Sequence, residues 1–185
     1  MAASYIDIHK PLIDRCRTGD RQAQYELYSL YARTMYNVAI RIVNHTSEAE
    51  DILQESFLEA FTRISEFRSE SSFGAWIKKI VVNRSVNCLK KKKLVLFEEV
   101  ADKTDTDHKE YFDDEYQQWE VQRVHKAIRS LPDGYRIVLT LYLLEGYDHD
   151  EIAQVLNITT STSKSQYSRA KECVRAQLKE KKHAG

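Results

Sequence analysis

Residues 71–93 read SSFGAWIKKIVVNRSVNCLKKKK, and the rest of the chain is organised around this stretch. At 3.6 residues per turn it forms a single helix of about six turns, with Ser71 or Ser72 as N-cap. Phe73, Ile77, Ile80 and Val81 recur at the spacing of a buried stripe. Trp76 heads a neighbouring stripe that continues through Ile80 to Asn83 and Asn87, while Lys78, Lys79, Arg84 and the run Lys90 to Lys93 add positive charge. Phe67-Arg68-Ser69 lies just upstream. Exposed aromatics beside cations and side-chain amides suit a single-stranded nucleic acid, offering a stacking face, phosphate contacts and hydrogen bonds to base edges. The plainer reading buries Phe73 and Trp76 in a core and leaves the lysines as a solvated helix end. The stretch alone does not separate the two.

Upstream, Pro11 to Arg17 fits a short first helix ended by Thr18-Gly19, and Asp20 caps a long second one. In that helix Leu27, Tyr31, Met35, Val38 and Ile42 keep a three-to-four spacing. Ser47-Glu48-Ala49-Glu50 has the form of a capping box and opens a third helix. Its buried face holds Ile52, Leu53, Phe57, Ala60, Phe61 and Ile64. The opposite face, with Asp51, Gln54, Glu55 and Glu59, is acidic and amidic and reads as ordinary solvation without further context. Four helices of this size can enclose one small core.

Downstream, Leu94 to Gln118 loses the helical period and reads as a flexible acidic linker, too poor in apolar positions to form a core. Trp119 to Ser130 begins a second module, with Val124 and Ile128 inward. Leu131-Pro132-Asp133-Gly134 is a turn. Tyr135 to Leu144 is apolar on most faces and is expected as the central buried helix, stopped by Glu145-Gly146. Asp148-His149-Asp150-Glu151 is a second capping box, with Tyr147 positioned to staple onto Ile152. A short helix, a turn around Ile158 and a longer polar-to-basic helix then make a helix-turn-helix pattern. Tyr167, Ala170, Val174 and Leu178 seat the longer helix. Ser161, Thr162, Lys164, Ser165, Gln166 and Arg169 face outward, suited to phosphates and major-groove edges.

Composition narrows the classes further. The 185 residues carry 28 basic and 28 acidic side chains, and this zero balance hides a division. Residues 1–93 hold 15 basic and 11 acidic residues (+4), 94–118 hold 2 and 9 (−7), and 119–185 hold 11 and 8 (+3). Two basic modules joined by an acidic connector suit an extended polyanion. Five glycines and two prolines in the whole chain favour an almost all-helical protein. Cys16, Cys88 and Cys173 are scattered, which fits a reducing, cytoplasmic setting and suggests neither structural zinc nor another cofactor. There is no apolar run of membrane-spanning length, so direct membrane insertion is not expected. A Gly-rich phosphate loop, a metal-spaced cluster and a nucleophile–base pair are also lacking, which argues against an enzyme.

Taken together, three segments resemble the extracytoplasmic-function group of sigma-70-type bacterial sigma factors. AEDILQESFLEAF (Ala49 to Phe61) looks like the family's helix that docks on the clamp of core RNA polymerase. FRSESSFGAWIKKIVVNRSVNCLKKKK (Phe67 to Lys93) resembles the segment that melts and reads the promoter's minus-ten element. LPDGYRIVLTLYLLEGYDHDEIAQVLNITTSTSKSQYSRAKECVRAQL (Leu131 to Leu178) is similar to the minus-thirty-five-binding domain. The resemblance implies a transcription initiation factor with core RNA polymerase and promoter DNA, duplex and melted, as partners. It would have a region 2-like domain at 1–93, a linker at 94–118 and a region 4-like domain at 119–185. Polymerase contacts would fall on Asp51, Gln54, Glu55 and Phe57. Minus-ten contacts would fall on Phe67, Arg68, Phe73, Trp76, Lys79, Asn83 and Arg84, and minus-thirty-five contacts on the six outward residues of the last helix. An anti-sigma factor is a usual partner in the family.

The chain departs from the family at Ser161, Ser163 and Gln166, where Gly, Val and Arg are common. Ser163 is expected to weaken an apolar seat between the two helix-turn-helix helices. The competing reading is a helix-turn-helix regulator acting on duplex DNA without polymerase docking, which leaves the first module and the linker unused.

Overall fold

The computed structural model describes residues 8–96 and 117–180, whose regular elements are all helical. They form two compact units that divide between the fourth and fifth helices. Most of the expected linker, residues 97–116, lies outside the described residues.

In the first unit, α1 (Lys10–Arg17) carries Pro11 in its first turn, where a missing N–H costs nothing. The Asp20 side chain accepts from the amides of Gln22 and Ala23 and starts α2 (Arg21–Val43). Arg15 pairs with the same carboxylate at 2.8 Å. The Ala23 and Arg15 hydrogen bonds hold Asp20 below the usual carboxylate range. Asn44, at φ 56°, ends α2 in the left-handed region that asparagine tolerates.

The expected capping box at Ser47 is not used. α3 (Thr46–Thr62) begins two residues earlier, with His45 rather than Ser47 at its N-cap and no side-chain capping bond. Asn44 and His45 are the entire connection from α2, so the Ala49 amide already bonds the His45 carbonyl at 3.0 Å. After a single 3-10 turn (Ile64–Glu66) and a loop, Ser72 caps α4 (Phe73–Leu96) by accepting from the Ala75 amide at 3.1 Å. α4 runs past Lys93, so Leu94 to Leu96 are helical and not yet linker.

The core of this unit joins Leu27, Met35, Val38 and Ile42 of α2 to Ile52, Leu53, Phe57 and Ala60 of α3 and to Phe73, Ile77 and Val81 of α4. Helix α2 approaches α4 very closely at Gly74, where a Cβ would stand 2.8 Å from the Tyr31 ring. Only glycine fits there without moving that ring.

The second unit contains α5 (Gln117–Arg129), α6 (Asp133–Leu139), a π-helical turn (Thr140–Leu144), α7 (His149–Leu156) and α8 (Thr160–Glu180). Ile128, Leu131, Leu139 and Ala170 form its central cluster, with Tyr135, Tyr167 and Val174 packed on it. Val124 lies at the solvent margin, contrary to its expected inward position, while Ile128 is buried. The reason is helix phase. Arg123 reaches the Leu178 carbonyl and Ser130 the Gln177 side chain, so the face holding 123, 127 and 130 turns toward α8.

The expected central helix Tyr135 to Leu144 holds its α-helical period only to Leu139. The Glu145 amide then bonds back to the Thr140 carbonyl, a five-residue step. This widening leaves Tyr142, Leu143 and Leu144 exposed in an apolar segment that the sequence pattern would bury. The capping box at Asp148 and Glu151 forms in full. Tyr147 is half-buried beside it, and desolvation first, then Glu151 and Glu145, push its hydroxyl up to about 12.

Candidate nucleic-acid interface

Helices α3 and α4 lie side by side, and an open groove of about 830 Å³ runs between them. Asp51, Glu55 and Glu59 of α3 line one wall; Trp76, Lys79 and Asn83 of α4 line the other. Asp51 and Glu55 of the expected polymerase set and Trp76, Lys79, Asn83 and Arg84 of the expected minus-ten set therefore share one concavity, whereas Gln54, Phe57, Phe67, Arg68 and Phe73 do not line it. Helical geometry explains the α4 wall, since positions 76, 79, 83, 87 and 90 recur every three or four residues on one face.

Ion pairs link the two walls of this groove. Arg84 pairs with Glu55, and with Glu59 at 2.8 Å. Glu59 also takes Arg63 at 2.9 Å, and Arg63 continues to Glu66 at 2.8 Å. The Arg63 hydrogen bond lowers the Glu66 carboxyl pKa. Further along, Lys92 pairs with Glu48. Arg84, expected as a cation for bases, is thus held by α3, whereas Lys79 and Asn83 are exposed.

The aromatic residues fall into two groups. Phe67 and Phe73 are 3% and 0% exposed, so they present no ring to an incoming base. They support Trp76 from beneath, with ring centroids 5.3 and 5.8 Å away. Trp76 is half-buried and borders the groove, which makes it the aromatic residue of this group available for stacking. Phe57 is likewise a core residue, packed edge-on to Tyr28 at 4.8 Å, and is not an outward docking contact. The α3 and α4 stripes that meet in the core bring Phe57 and Phe73 inside, and Phe67, just after the 3-10 turn, packs its ring against Phe73 and Trp76. Asp51, Gln54, Glu55 and Arg68 are exposed as expected.

The sequence reading missed Leu58, which is 70% exposed on the Asp51, Gln54 and Glu55 face. Its position seven residues after Asp51 and three after Glu55 was the available signal.

In the second unit the Thr159 hydroxyl caps α8 by accepting from the Thr162 amide at 3.0 Å. Thr160 bonds Asp150 at 2.8 Å, tying the start of α8 to α7. Ser161, Lys164, Ser165 and Arg169 are exposed along α8, and Thr162 is half-buried at its first turn. Gln166 departs from the expected outward set. It is half-buried, and its amide lies against Gly134, 3.5 Å from where a Cβ would stand.

Ser163 is fully buried, but its hydroxyl lies 2.9 Å from His149 Nδ1. The expected weak seat is instead a hydrogen-bonded one. His149 stacks on Tyr142 at 4.5 Å, Tyr142 meets Tyr167, and Lys171 lies 4.3 Å over the Tyr167 ring.

Comparison with known proteins agrees with this arrangement. Residues 27–95 match the family described as sigma-70 region 2, and residues 121–174 match sigma-70, region 4. The two matched regions define a sigma-70-type transcription initiation factor that directs RNA polymerase. The ECF RNA polymerase sigma factor SigW of Bacillus subtilis is 29% identical over 181 residues, covering 92% of this chain and 97% of that protein. The ECF RNA polymerase sigma-E factor of Haemophilus influenzae is 30% identical over 173 residues, covering 88% and 91%. The sigma factor RpoE of Bartonella quintana, solved with the anti-sigma factor NepR, shares the fold at a TM-score of 0.62 and 22% identity, covering 84% of this chain and 96% of that one. The chain belongs to the ECF RNA polymerase sigma factors.

Proposed function

We propose that the exposed face of α3 (Asp51, Gln54, Glu55 and Leu58) docks core RNA polymerase, while the α4 wall of the groove holds the melted minus-ten strand. The observation that carries this reading is the continuous stripe Trp76, Lys79, Asn83, Asn87 and Lys90 along an open groove. Trp76 supplies the stacking face, Lys79 a phosphate contact, and Asn83 and Asn87 base-edge hydrogen bonds. Stacking contributes roughly 1–3 kcal/mol per base, enough to offset the few kcal/mol that extruding a base costs. Arg68 adds charge at the head of the stripe. Ser161, Lys164, Ser165 and Arg169 bind duplex DNA at the minus-thirty-five element, with Thr162 and Gln166 setting the register of α8.

The chemistry of RNA synthesis belongs to the polymerase, and the factor acts in the cytoplasm without a cofactor. Among the described residues no helix is long and apolar enough to cross a membrane. An anti-sigma factor is a further proposed partner, because the Bartonella relative and CnrH (TM-score 0.54) were both solved with partners, NepR an anti-sigma factor and CnrY through its cytosolic domain.

Run-off transcription with core polymerase and a pool of upstream fragments tests the whole reading. Discrete start sites that vanish without this chain are expected. Duplex binding with no polymerase-dependent initiation would favour the simpler helix-turn-helix regulator.

A further inference from the structure

We infer that Arg17, on α1 and outside the matched region 27–95, is a positioning residue for reading the bases of the melted minus-ten strand. This rests on the minus-ten reading above. One guanidinium nitrogen donates to Asp14 at 2.7 Å, and another donates to the main-chain carbonyl of Phe67, fifty residues away. Asp14 is in turn held by Lys10 at 2.7 Å. Phe67 is buried against Phe73 and Trp76, with ring centroids at 5.9 and 5.3 Å. The loop that follows is therefore pinned at its first residue by Arg17 and at its last by Ser72, which caps α4.

Between the pins lie Arg68, Ser69, Glu70 and Ser71. Ser69 has φ 58°, a left-handed conformation unusual for a non-glycine, which persists where the surroundings determine it. Residues 68–71 thus form a short loop held at both ends that leads into α4 and its Trp76 stripe. Arg17 touches none of the residues proposed to meet DNA directly from the groove. It acts through Phe67, fixing both the start of the loop and the ring that underlies Trp76. Losing its hydrogen bond would leave the surface chemistry intact but let the loop sample other shapes, so base discrimination would fall more than total binding.

The test uses holoenzyme, the full chain with core polymerase, on single-stranded DNA carrying a randomised window, with bound and input pools sequenced. The parent should enrich particular sequences. Arg17→Ala should co-purify with core as the parent does, yet its enrichment of the best sequences over the median should fall about tenfold, equivalent to about 1.4 kcal/mol. Arg17→Lys, which keeps one donor and the charge, should recover most of that enrichment.

Unchanged selectivity in a folded Arg17→Ala protein would overturn the inference while leaving the minus-ten reading in place. A parent that enriches nothing would sink that reading and this inference with it. If Arg17→Ala melts early, Arg17→Met, assayed below its own melting transition, decides, because it keeps the aliphatic stem but removes every donor to the Phe67 carbonyl. A fall in selectivity in that folded protein supports the inference, and parental selectivity overturns it.

Discussion

Glu55 of α3 and Arg84 of α4 form an ion pair across the groove, although they lie 29 residues apart in the sequence, where the first reads as a polymerase contact and the second as a DNA contact. Arg84 is shared, since Glu59 holds it at 2.8 Å as well. A carboxylate expected to meet polymerase and a cation expected to meet DNA thus pair with each other in the free protein. Polymerase docking on Glu55 would leave Arg84 with one carboxylate instead of two.

The first prediction follows from that sharing. Glu55→Ala should weaken co-purification with core polymerase several-fold while changing stability by no more than about 1 kcal/mol, the usual range for exposed pairs. Glu59 keeps Arg84 paired in the variant. Thermal melting and a pull-down on the same preparation check both halves. A large loss of stability would mean that the pair is structural and the docking effect indirect.

Ser163 provides a test within the second unit. Its buried hydroxyl lies 2.9 Å from His149 Nδ1. Ser163→Ala should destabilise this unit by roughly 1–3 kcal/mol, the cost of leaving a buried polar partner unsatisfied. Ser163→Val restores the family's usual residue but removes the same partner, so it should not rescue. Calorimetry should report the loss in the transition of the second unit, with the first unit unmoved.

Acid titration bears on the start of α2. The folded pKa of Asp20 is lowered by the Ala23 amide first and by Arg15 next. A lowered folded pKa means that the unfolded chain binds the proton more readily. The stabilisation is therefore present above the ordinary aspartate range and is lost as pH falls through the lower folded value. Asp20→Ala should depress the melting temperature at neutral pH, with the gap to the parent narrowing as the pH drops below about 4. A constant gap down to strongly acidic pH would show that the carboxylate's charge is not what caps the helix.

Upstream recognition should separate from minus-ten recognition by substrate. Lys164→Ala or Arg169→Ala should weaken duplex binding and reduce its salt dependence by roughly one unit of slope per lost phosphate contact. Both side chains are exposed, so folding should be unaffected. Titrating the same variants with a single-stranded minus-ten oligonucleotide should give the parent's affinity. If both substrates suffer alike, the two units do not divide the work in this way.

What could be read from the sequence was local. The Asp20 cap and the Asp148–Glu151 capping box each satisfy amides within three residues, so neighbouring letters carry the whole signal. The buried face of α3 and the Trp76 stripe were legible for the same reason, through periodicity. The partners of Arg84, Ser163 and the Phe67 carbonyl were not, because they lie 25 to 29, 14 and 50 residues away. The aromatic residues near minus-ten show the limit most clearly. Phe67, Phe73 and Trp76 are all large aromatics as letters, and only tertiary packing decides that two are core and one borders the groove between α3 and α4.

That division sets the last prediction. Phe73→Ala should destabilise the first unit by roughly 3–5 kcal/mol, as large-to-small core changes do, and every activity should fall together. Trp76 is half-buried, so Trp76→Phe should keep the fold yet slow open-complex formation, because a smaller ring stacks less well. Lys79→Ala and Asn83→Ala give the cleaner contrast, since both side chains are exposed and neither removes much apolar burial. These two variants should melt within a few degrees of the parent and still form closed complexes, while opening duplex promoters more slowly. Transcription should recover on a template already unpaired across the minus-ten region, where the cost of separating the strands is met in advance. Permanganate reactivity of thymines on duplex and pre-melted templates distinguishes the cases. Should both variants open duplex promoters at the parent's rate, α4 is scaffold alone and the melted strand is held elsewhere.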